Sequence, residues 1–257
     1  MLRSRVIPCL LVHNKGLVKT VKFKDSKYVG DPINAVKIFN EKEVDELVVL
    51  DIDATVNNVE PDYKMIAHLA TECRMPLCYG GGIKTASQAK RIISLGVEKV
   101  ALSSAVIEIP NLVKEIAAAV GRQSVVVVLD VKKSLFGSYD VFTHNAKQKK
   151  KIKLVEFAKE LEAVGIGELV INSIDNDGMM NGFDTKLTDL VRDAVSLPVT
   201  FLGGAGSSKD IIDLVQRYKI IGVAAGSLFV FKGVYKAVLI NYLSPEAKSK
   251  IKAFSTI

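Results

Sequence analysis

The chain has 257 residues, of which 49% are hydrophobic and 25% charged, and its formal net charge is +7 at pH 7. This composition excludes a disordered or low-complexity protein, and it supplies enough apolar side chains for a substantial core. No apolar run approaches the roughly 18 residues that a membrane span needs, and the first residues lack the apolar segment of a signal peptide. We therefore expect a cytoplasmic protein without membrane association.

Short β-rich apolar runs alternate with amphipathic stretches along the chain, which indicates βα units around a parallel sheet. Eight strands are predicted, near residues 5–12, 46–51, 76–79, 98–102, 124–131, 168–173, 198–202 and 220–225. Eight helices are predicted to follow them, near residues 32–43, 61–73, 86–95, 110–120, 152–164, 185–195, 208–218 and 233–242. Helix-start signals occur at Asp31-Pro32, Glu60-Pro61-Asp62, Pro110-Asn111 and Ser207-Ser208.

The second half of the chain repeats the first. The run Gly80-Gly81-Gly82-Ile83 is nearly copied 123 residues later as Gly203-Gly204-Ala205-Gly206, and the segments that begin at Val6, Glu46 and Val100 recur in the same order. We therefore predict an α/β fold, a single (βα)8 TIM barrel built from two fourfold half-barrel repeats. The halves are expected at about 1–122 and 123–245, with a short C-terminal tail at 246–257 that forms a surface extension.

Two connections are long for such a barrel, at residues 13–31 and 132–151, and loops of this kind commonly act as lids or binding loops. The first contains Lys15, Lys19, Lys22 and Lys24, which either close over an anionic ligand or form a solvated charged loop. The second ends in Lys149-Lys150-Lys151 without interleaved aromatic residues. Phosphorylated substrates therefore explain the positive charge better than nucleic acid does.

The two glycine turns are candidate phosphate sites, because glycine lets backbone amides approach an anion closely. The alternative is that they are tight packing turns. The first-half candidates are Gly81, Gly82, Ser103 and Ser104. The second-half candidates are Gly203, Gly204, Gly226 and Ser227, with a short helix possible after Ala225, and Gly178 is added from the turn Asp177-Gly178.

Five carboxylates stand at predicted strand ends, namely Asp51, Asp53, Asp130, Asp175 and Asp177. Asp130 follows the apolar run Val125–Leu129, where a raised pKa would suit a general acid or base; the alternative is a carboxylate that bonds loop amides. Asp177 is either a site residue or part of a simple turn. The repeat places Leu11 where the second half has Asp130, and leucine cannot transfer a proton.

Four charged residues, Arg5, Glu46, Lys99 and Glu168, stand at predicted strand starts. The residue pattern alone favours ordinary solvated strand ends, with a salt-bridged ring at the barrel mouth as the alternative. His13, His68 and His144 carry little signal, and Cys9, Cys73 and Cys78 lack metal-ligand spacing, so buried thiols are expected. No metal or cofactor is predicted.

Together these residues resemble the cyclase subunit of imidazole-glycerol-phosphate synthase over about residues 1–245. The motifs that carry the resemblance are Arg-Val-Ile-Pro-Cys at 5–9, Gly-Gly-Gly-Ile at 80–83, Asn-Ser-Ile-Asp-Asn-Asp-Gly at 172–178 and Gly-Gly-Ala-Gly at 203–206. The resemblance implies a lyase of histidine biosynthesis that holds a bisphosphate between two cradles. It also implies a glutamine amidotransferase partner at the bottom face of the barrel.

In that family, ammonia from the partner passes a gate of four charged residues, which match Arg5, Glu46, Lys99 and Glu168. The family's loop lysine matches Lys19, and its strand-five catalytic aspartate matches Asp130, whereas its strand-one aspartate is replaced by Leu11. Asp130, Lys19 and Asp177 are therefore the candidate catalytic residues. This family context favours the charged ring over solvated strand ends.

The first segment, at residues 9–23, with Val-Gly-Asp-Pro-Ile-Asn-Ala following, resembles a divergent branch associated with bacterial surface-polysaccharide synthesis. There a barrel and a glutaminase supply ammonia for acetamidino sugars. Two hypotheses follow. The chain is a cyclase-like subunit that uses channelled ammonia on a phosphorylated substrate, or it is a partner-activating ammonia conduit for amidination of a lipopolysaccharide sugar.

Overall fold

A computed structural model describes residues 3–109 and 111–255 of the chain. Eight parallel strands form its centre, at Arg5–His13, Leu47–Asp51, Leu77–Gly80, Lys99–Leu102, Val125–Lys133, Glu168–Ser173, Val199–Leu202 and Gly222–Ala225. Each strand pairs with its neighbours, and the eighth strand pairs with the first, where Arg5 lies opposite Gly222. The sheet is therefore closed, which confirms the predicted (βα)8 barrel.

The longer helices cover the outside of the barrel, at Pro32–Glu41, Tyr63–Glu72, Ala86–Ser94, Leu112–Val120, Leu154–Val164, Thr185–Arg192, Ser208–Tyr218 and Pro245–Ser255. Two short helices, Ser104–Glu108 and Ser227–Val230, directly follow the fourth and eighth strands. Several begin at side-chain caps; Asp31, for example, accepts a hydrogen bond from Asn34 N, and Ser207 forms a capping box with Asp210. Pro110, part of one predicted start signal, lies outside the described residues. The short helix predicted after Ala225 is confirmed at Ser227–Val230.

The barrel wall separates two apolar regions. Val125, Val127 and Leu129 of the fifth strand point outwards into the main core beneath the helices. Val126 and Val128 point inwards into a smaller cluster within the barrel. Because side chains alternate along a strand, the next inward position is Asp130.

The two long connections are short antiparallel sheets rather than irregular loops. After the first strand, Gly16–Val21 and Lys24–Gly30 form what we call the first loop sheet. After the fifth strand, Tyr139–Thr143 and Gln148–Lys153 form the second loop sheet. Both continue barrel strands beyond the carboxyl-terminal rim, so each stands over the mouth of the barrel.

The helix predicted at 233–242 is wrong. Phe231–Lys232 and Ala237–Val238 instead form a two-stranded hairpin, whose turn has positive φ angles at Gly233 (+73°) and Lys236 (+47°). The last helix is Pro245–Ser255, in the segment predicted to be a surface tail, and its Ala247 and Ile251 are buried. Among the described helices none is long and apolar enough to cross a membrane.

Candidate active site

A cleft of about 150 Å³ opens at the carboxyl ends of the barrel strands. Active sites of (βα)8 barrels lie at this end. All the residues predicted for catalysis or phosphate binding line this one cleft, namely Lys19, Asp130, Asp177, Gly81, Gly82, Ser103, Ser104, Gly178, Gly203, Gly204, Gly226 and Ser227. The structure thus brings both glycine turns and the candidate acid/base residue together.

The glycine turns match each other in space, but with a register that differs from the sequence alignment. A Cβ added to Gly81 would lie 2.4 Å from Asp51 O, and one added to Gly203 would lie 2.7 Å from Ser173 O. Both glycines also have positive φ angles, +123° and +98°. Gly203 is therefore the counterpart of Gly81, not of Gly80, and glycine is required at both positions by the close approach of backbone oxygen.

Asp130 points into the base of the cleft, where its carboxyl group keeps limited access to solvent. Its Oδ1 accepts a hydrogen bond of 2.9 Å from Asn172 Nδ2, on the neighbouring sixth strand. Burial raises the pKa of Asp130 to about 7, with a further contribution from the charge of Asp177, whereas the bond from Asn172 opposes the rise. A carboxyl group with this pKa can accept or donate a proton near neutral pH.

Asn172 is a site residue for which the sequence predicted no role, although it begins the motif at 172–178. Its side-chain Oδ1 is buried and has no hydrogen-bond partner in the part of the chain that the structure describes. Buried polar atoms are rarely left unpaired, so this acceptor is free for a donor in the cleft.

Leu11 and Leu50 occupy in the first half the positions of Asp130 and Asn172. Leu11 lies opposite Leu50 on adjacent strands, as Asp130 lies opposite Asn172. Both leucines line the cleft. One side of the cleft base is therefore apolar and the other carries the ionisable group.

Lys19, on the first loop sheet, is only 5% exposed, and its ammonium group lies next to Gly226. A Cβ at Gly226 would lie 2.0 Å from Lys19 Nζ, so the glycine leaves the room that the lysine needs. Across residues 3–109 and 111–255, no carboxylate forms an ion pair with Lys19. Since buried charges are normally paired, this ammonium group is suited to an anionic ligand in the cleft.

Asp177 connects the cleft to the first loop sheet. Its Oδ2 accepts hydrogen bonds from Thr20 Oγ1 (2.8 Å) and Phe23 N (3.1 Å), while its backbone oxygen accepts one from Lys22 N (2.9 Å). Gly178 packs against the strand Gly16–Val21 of this sheet, because a Cβ at Gly178 would lie 2.3 Å from Thr20 O. This contact fixes the position of the sheet that carries Lys19.

The remaining strand-end carboxylates bond backbone amides. Asp51 accepts from Asp53 N and Ala54 N, and its pKa is raised by burial. Asp53 Oδ2 accepts from Asn14 N at 2.7 Å, and Asp175 Oδ2 accepts from Lys133 N at 2.9 Å. These bonds hold the starts of the two long connections, and neither Asp53 nor Asp175 lines the cleft.

At the opposite end of the barrel, Arg5, Glu46, Lys99 and Glu168 form a ring of alternating charge. Arg5 contacts Glu46 at 2.5 Å and Glu168 at 2.8 Å, and Lys99 contacts the same glutamates at 2.8 and 3.0 Å. The glutamate side chains are only 4% and 5% exposed, so these residues are not the solvated strand ends that the residue pattern favoured. Burial opposes the charged form of Glu168, but Arg5 and Lys99 outweigh it and lower its pKa.

A small inner cavity of about 20 Å³ lies between the charged ring and the cleft. Its lining is mostly apolar, and Cys9, Leu50, Ala101, Val128 and Leu202 line both the cavity and the cleft. A cavity of this volume holds about one water-sized molecule. Cys9 and Cys78 are buried here as free thiols, whereas Cys73 is only partly buried.

The fold and the cleft define a (βα)8 barrel whose ionisable and glycine-rich groups meet at the carboxyl ends of the strands. Residues 5–236 match the family model described as "Histidine biosynthesis protein", and the chain belongs to that family.

Curated relatives agree with this assignment. "Putative imidazole glycerol phosphate synthase subunit hisF3" of Vibrio vulnificus is 61% identical over 251 residues, 97% of this chain and 96% of the relative. "Putative imidazole glycerol phosphate synthase subunit hisF2" of Pseudomonas aeruginosa is 54% identical over 94% of this chain and 96% of its own length. "Imidazole glycerol phosphate synthase subunit HisF" of Lactococcus lactis subsp. cremoris is 39% identical over 89% of each chain.

Proposed function

We propose that this protein is an imidazole-glycerol-phosphate-synthase cyclase-like subunit, a lyase-type enzyme that binds a phosphorylated substrate and uses ammonia from a glutamine amidotransferase partner. The observation that carries the proposal is the buried ammonium group of Lys19, which has no ion-pair partner among the described residues and faces the same cleft as a carboxyl group with a pKa of about 7. The first group suits an anion and the second suits proton transfer.

The cleft supports a division of roles among its residues. Asp130 acts as general acid or base, Lys19 neutralises substrate charge, and Asp177 keeps Lys19 in place by holding the first loop sheet. The two phosphoryl groups of a bisphosphate lie at the two glycine turns. The first site uses Gly81, Gly82, Ser103 and Ser104, and the second uses Gly178, Gly203, Gly204, Gly226 and Ser227.

The charged ring acts as the ammonia gate, and the partner docks at the bottom face around it. Ammonia released there passes Arg5, Glu46, Lys99 and Glu168 and reaches the inner cavity, whose volume suits a molecule of that size. The apolar lining above the ring favours neutral ammonia over ammonium, because a charged group is costly to desolvate.

A second candidate function is an ammonia conduit that activates its partner and serves amidination of a lipopolysaccharide sugar. The observation that favours it is Leu11, which faces the cleft beside Leu50 and leaves Asp130 without a counterpart of its own kind. A single positioned acid or base contributes about 10²–10⁴ in rate, so its absence would reduce ordinary cyclisation severely.

One assay separates the two functions. The protein is supplied with the bisphosphate substrate of imidazole-glycerol-phosphate synthase, and substrate loss is followed with ammonium chloride or with glutamine and the glutaminase partner. Cyclisation with both nitrogen sources is expected. Stimulated glutamine hydrolysis without substrate loss would establish the conduit and reject the cyclase-like function.

Lys19→Met tests whether the Lys19 ammonium group binds the substrate, since the substitution keeps the length of the side chain and removes its charge. We expect KM for the bisphosphate to rise about tenfold or more, because hydrogen bonds to charged groups contribute roughly 1.5–3 kcal/mol. Lys24→Met is the matched control, because Lys24 lies on the same loop sheet but is exposed and does not line the cleft. Equal KM values in the two variants would contradict the role given to Lys19.

A further inference from the structure

His144 lies in the turn of the second loop sheet and lines the cleft. Its Nδ1 lies 3.1 Å from Thr143 Oγ1 and 3.6 Å from Glu108 Oε1. Its Nε2 forms no hydrogen bond with any residue that the structure describes. The ring is therefore held through one nitrogen, and the other is available to a ligand.

The turn is fixed by hydrogen bonds to segments that follow the second and fourth strands. Asn145 Nδ2 donates a hydrogen bond of 2.9 Å to Ile52 O, and His144 N donates one of 3.3 Å to Ser104 Oγ. His144, Asn145 and Ala146 all have positive φ angles, of 53°, 54° and 61°. Non-glycine residues adopt this conformation at a cost, so the contacts that anchor the turn also hold His144 at the Ser104 side of the cleft.

The Ser104 hydroxyl is a second polar group beside His144 that can bind a ligand. Its side chain is 7% exposed, and its oxygen accepts the bond from His144 N. The hydroxyl proton has no acceptor among residues 3–109 and 111–255. Since buried donors are normally satisfied, a ligand acceptor at this point would complete the arrangement.

A comparable arrangement occurs at the end of the eighth strand. There the first loop sheet brings Lys19 next to Gly226. The second loop sheet brings His144 next to Ser104, just after the end of the fourth strand. Each loop sheet thus contributes one nitrogen donor to a turn of the neighbouring strand.

We propose that His144 is a phosphate-binding residue at the first-half turn, with Nε2–H and the Ser104 hydroxyl donating to the same phosphoryl group. This inference rests on the proposed function, in which the ligand is a bisphosphate. In this arrangement Nδ1 lies towards Thr143 and Glu108, and Nε2 carries the proton that is donated to the anion. Lys150 Nζ contacts Glu108 at 3.0 Å and holds that carboxylate in place.

The test uses inorganic phosphate as the probe, with binding measured by calorimetry and by the imidazole resonances of the full-length protein. The wild type is expected to bind two phosphate ions, one of which shifts the His144 ring signals. His144→Ala should weaken one of the two sites about tenfold, as expected for loss of one hydrogen bond to a charged group, and leave the other unchanged. Lys19→Met should have the converse effect.

Lys147→Met is the matched control, because it removes a positive charge from an exposed position in the same turn. His144→Gln keeps an N–H donor and should recover part of the affinity. Equal phosphate affinity in His144→Ala and Lys147→Met would overturn the inference, as would a fall in kcat with unchanged phosphate binding. If the wild type binds no phosphate at either turn, the proposed function itself fails.

Discussion

The two halves of the barrel share their backbone bonds but differ in the side chains at both ends. Ile52 N donates to Val12 O at 3.0 Å, and Ile174 N donates to Val131 O at 2.9 Å in the equivalent place. Asp53 and Asp175 likewise hold the starts of the two long connections. The shared bonds are those that shape the mouth of the cleft.

The ionisable side chains are distributed unequally between the halves. At the cleft, the second half has Asp130 and Asn172 where the first has Leu11 and Leu50. At the other end, both halves supply a glutamate, but the cations Arg5 and Lys99 come only from the first, at positions equivalent to Ser124 and Gly222 of the second. The repeat thus retains a common scaffold, in which the buried carboxyl group of the cleft comes from the second half and the two cations of the charged ring come from the first.

The largest effect should come from removing the second half's ionisable group. Asp130→Asn keeps the shape and the contact with Asn172 but cannot transfer a proton. We expect kcat with ammonium chloride to fall by about 10²–10⁴. Asp175→Asn is the control, because Asp175 does not line the cleft, and a similar loss in both variants would contradict the assignment.

The next largest effect, on stability and on glutamine-dependent turnover, should come from removing a cation of the first half. Lys99→Met leaves two buried glutamates sharing only Arg5, and breaking buried pairs of this kind costs about 3 kcal/mol or more in the free energy of unfolding. Glutamine-dependent turnover should fall relative to ammonium-dependent turnover, since the gate is altered while the cleft is not. The ratio of the two rates is the measurement, and an unchanged ratio would count against the gate.

Lys37→Met is the control for stability. Lys37 contacts Glu72 at 3.8 Å on the surface, where the lysine side chain is 55% exposed and the glutamate side chain 38%. Exposed pairs contribute about 0–1 kcal/mol, so urea unfolding should separate the two variants clearly.

The barrel and its most important carboxylate could be predicted from the sequence, because both depend on local periodicity. Alternation along the fifth strand sets the direction of Asp130, and its place after an apolar run sets its burial. Lys19 could not be distinguished from Lys15, Lys22 and Lys24 by residue pattern alone. Its burial depends on how the first loop sheet folds over the mouth, which the polar sequence does not reveal.

Other parts of the site depend on contacts between distant segments. Asn172 bonds Asp130 and His144 bonds Ser104, although these partners lie 42 and 40 residues away along the chain. The local sequence was also insufficient at 233–242, where a helix was wrongly predicted, because a short run of apolar residues fits either a helix or a hairpin. There Val234 and Tyr235 are exposed in the middle of the hairpin turn and do not face the core.

Asp130 of the second half should also make the free energy of unfolding depend on pH, whereas Leu11, its counterpart in the first half, cannot. The pKa of Asp130 is raised in the folded state to about 7, so between roughly pH 4 and 7 the folded protein keeps a proton that the unfolded chain has lost. Asp130 therefore contributes a loss of stability as pH rises through this window, on the order of 2 kcal/mol after allowance for its access to solvent. Urea unfolding at several pH values should show that this loss disappears in Asp130→Asn, and an unchanged pH profile would contradict the burial of the carboxyl group.

The smallest effect should come from making the first half resemble the second. Leu11→Asp places a carboxyl group opposite the apolar Leu50, where it has no amide donor, so we expect a loss of about 1–2 kcal/mol in the free energy of unfolding. Adding Leu50→Asn supplies the donor that Asn172 gives to Asp130, and should recover part of that loss. Any residual cyclisation should rise in Leu11→Asp and rise further in the double variant, as measured by bisphosphate consumption with ammonium chloride. If the folded double variant gains stability but no activity, the first half has lost more of the reaction than one carboxylate.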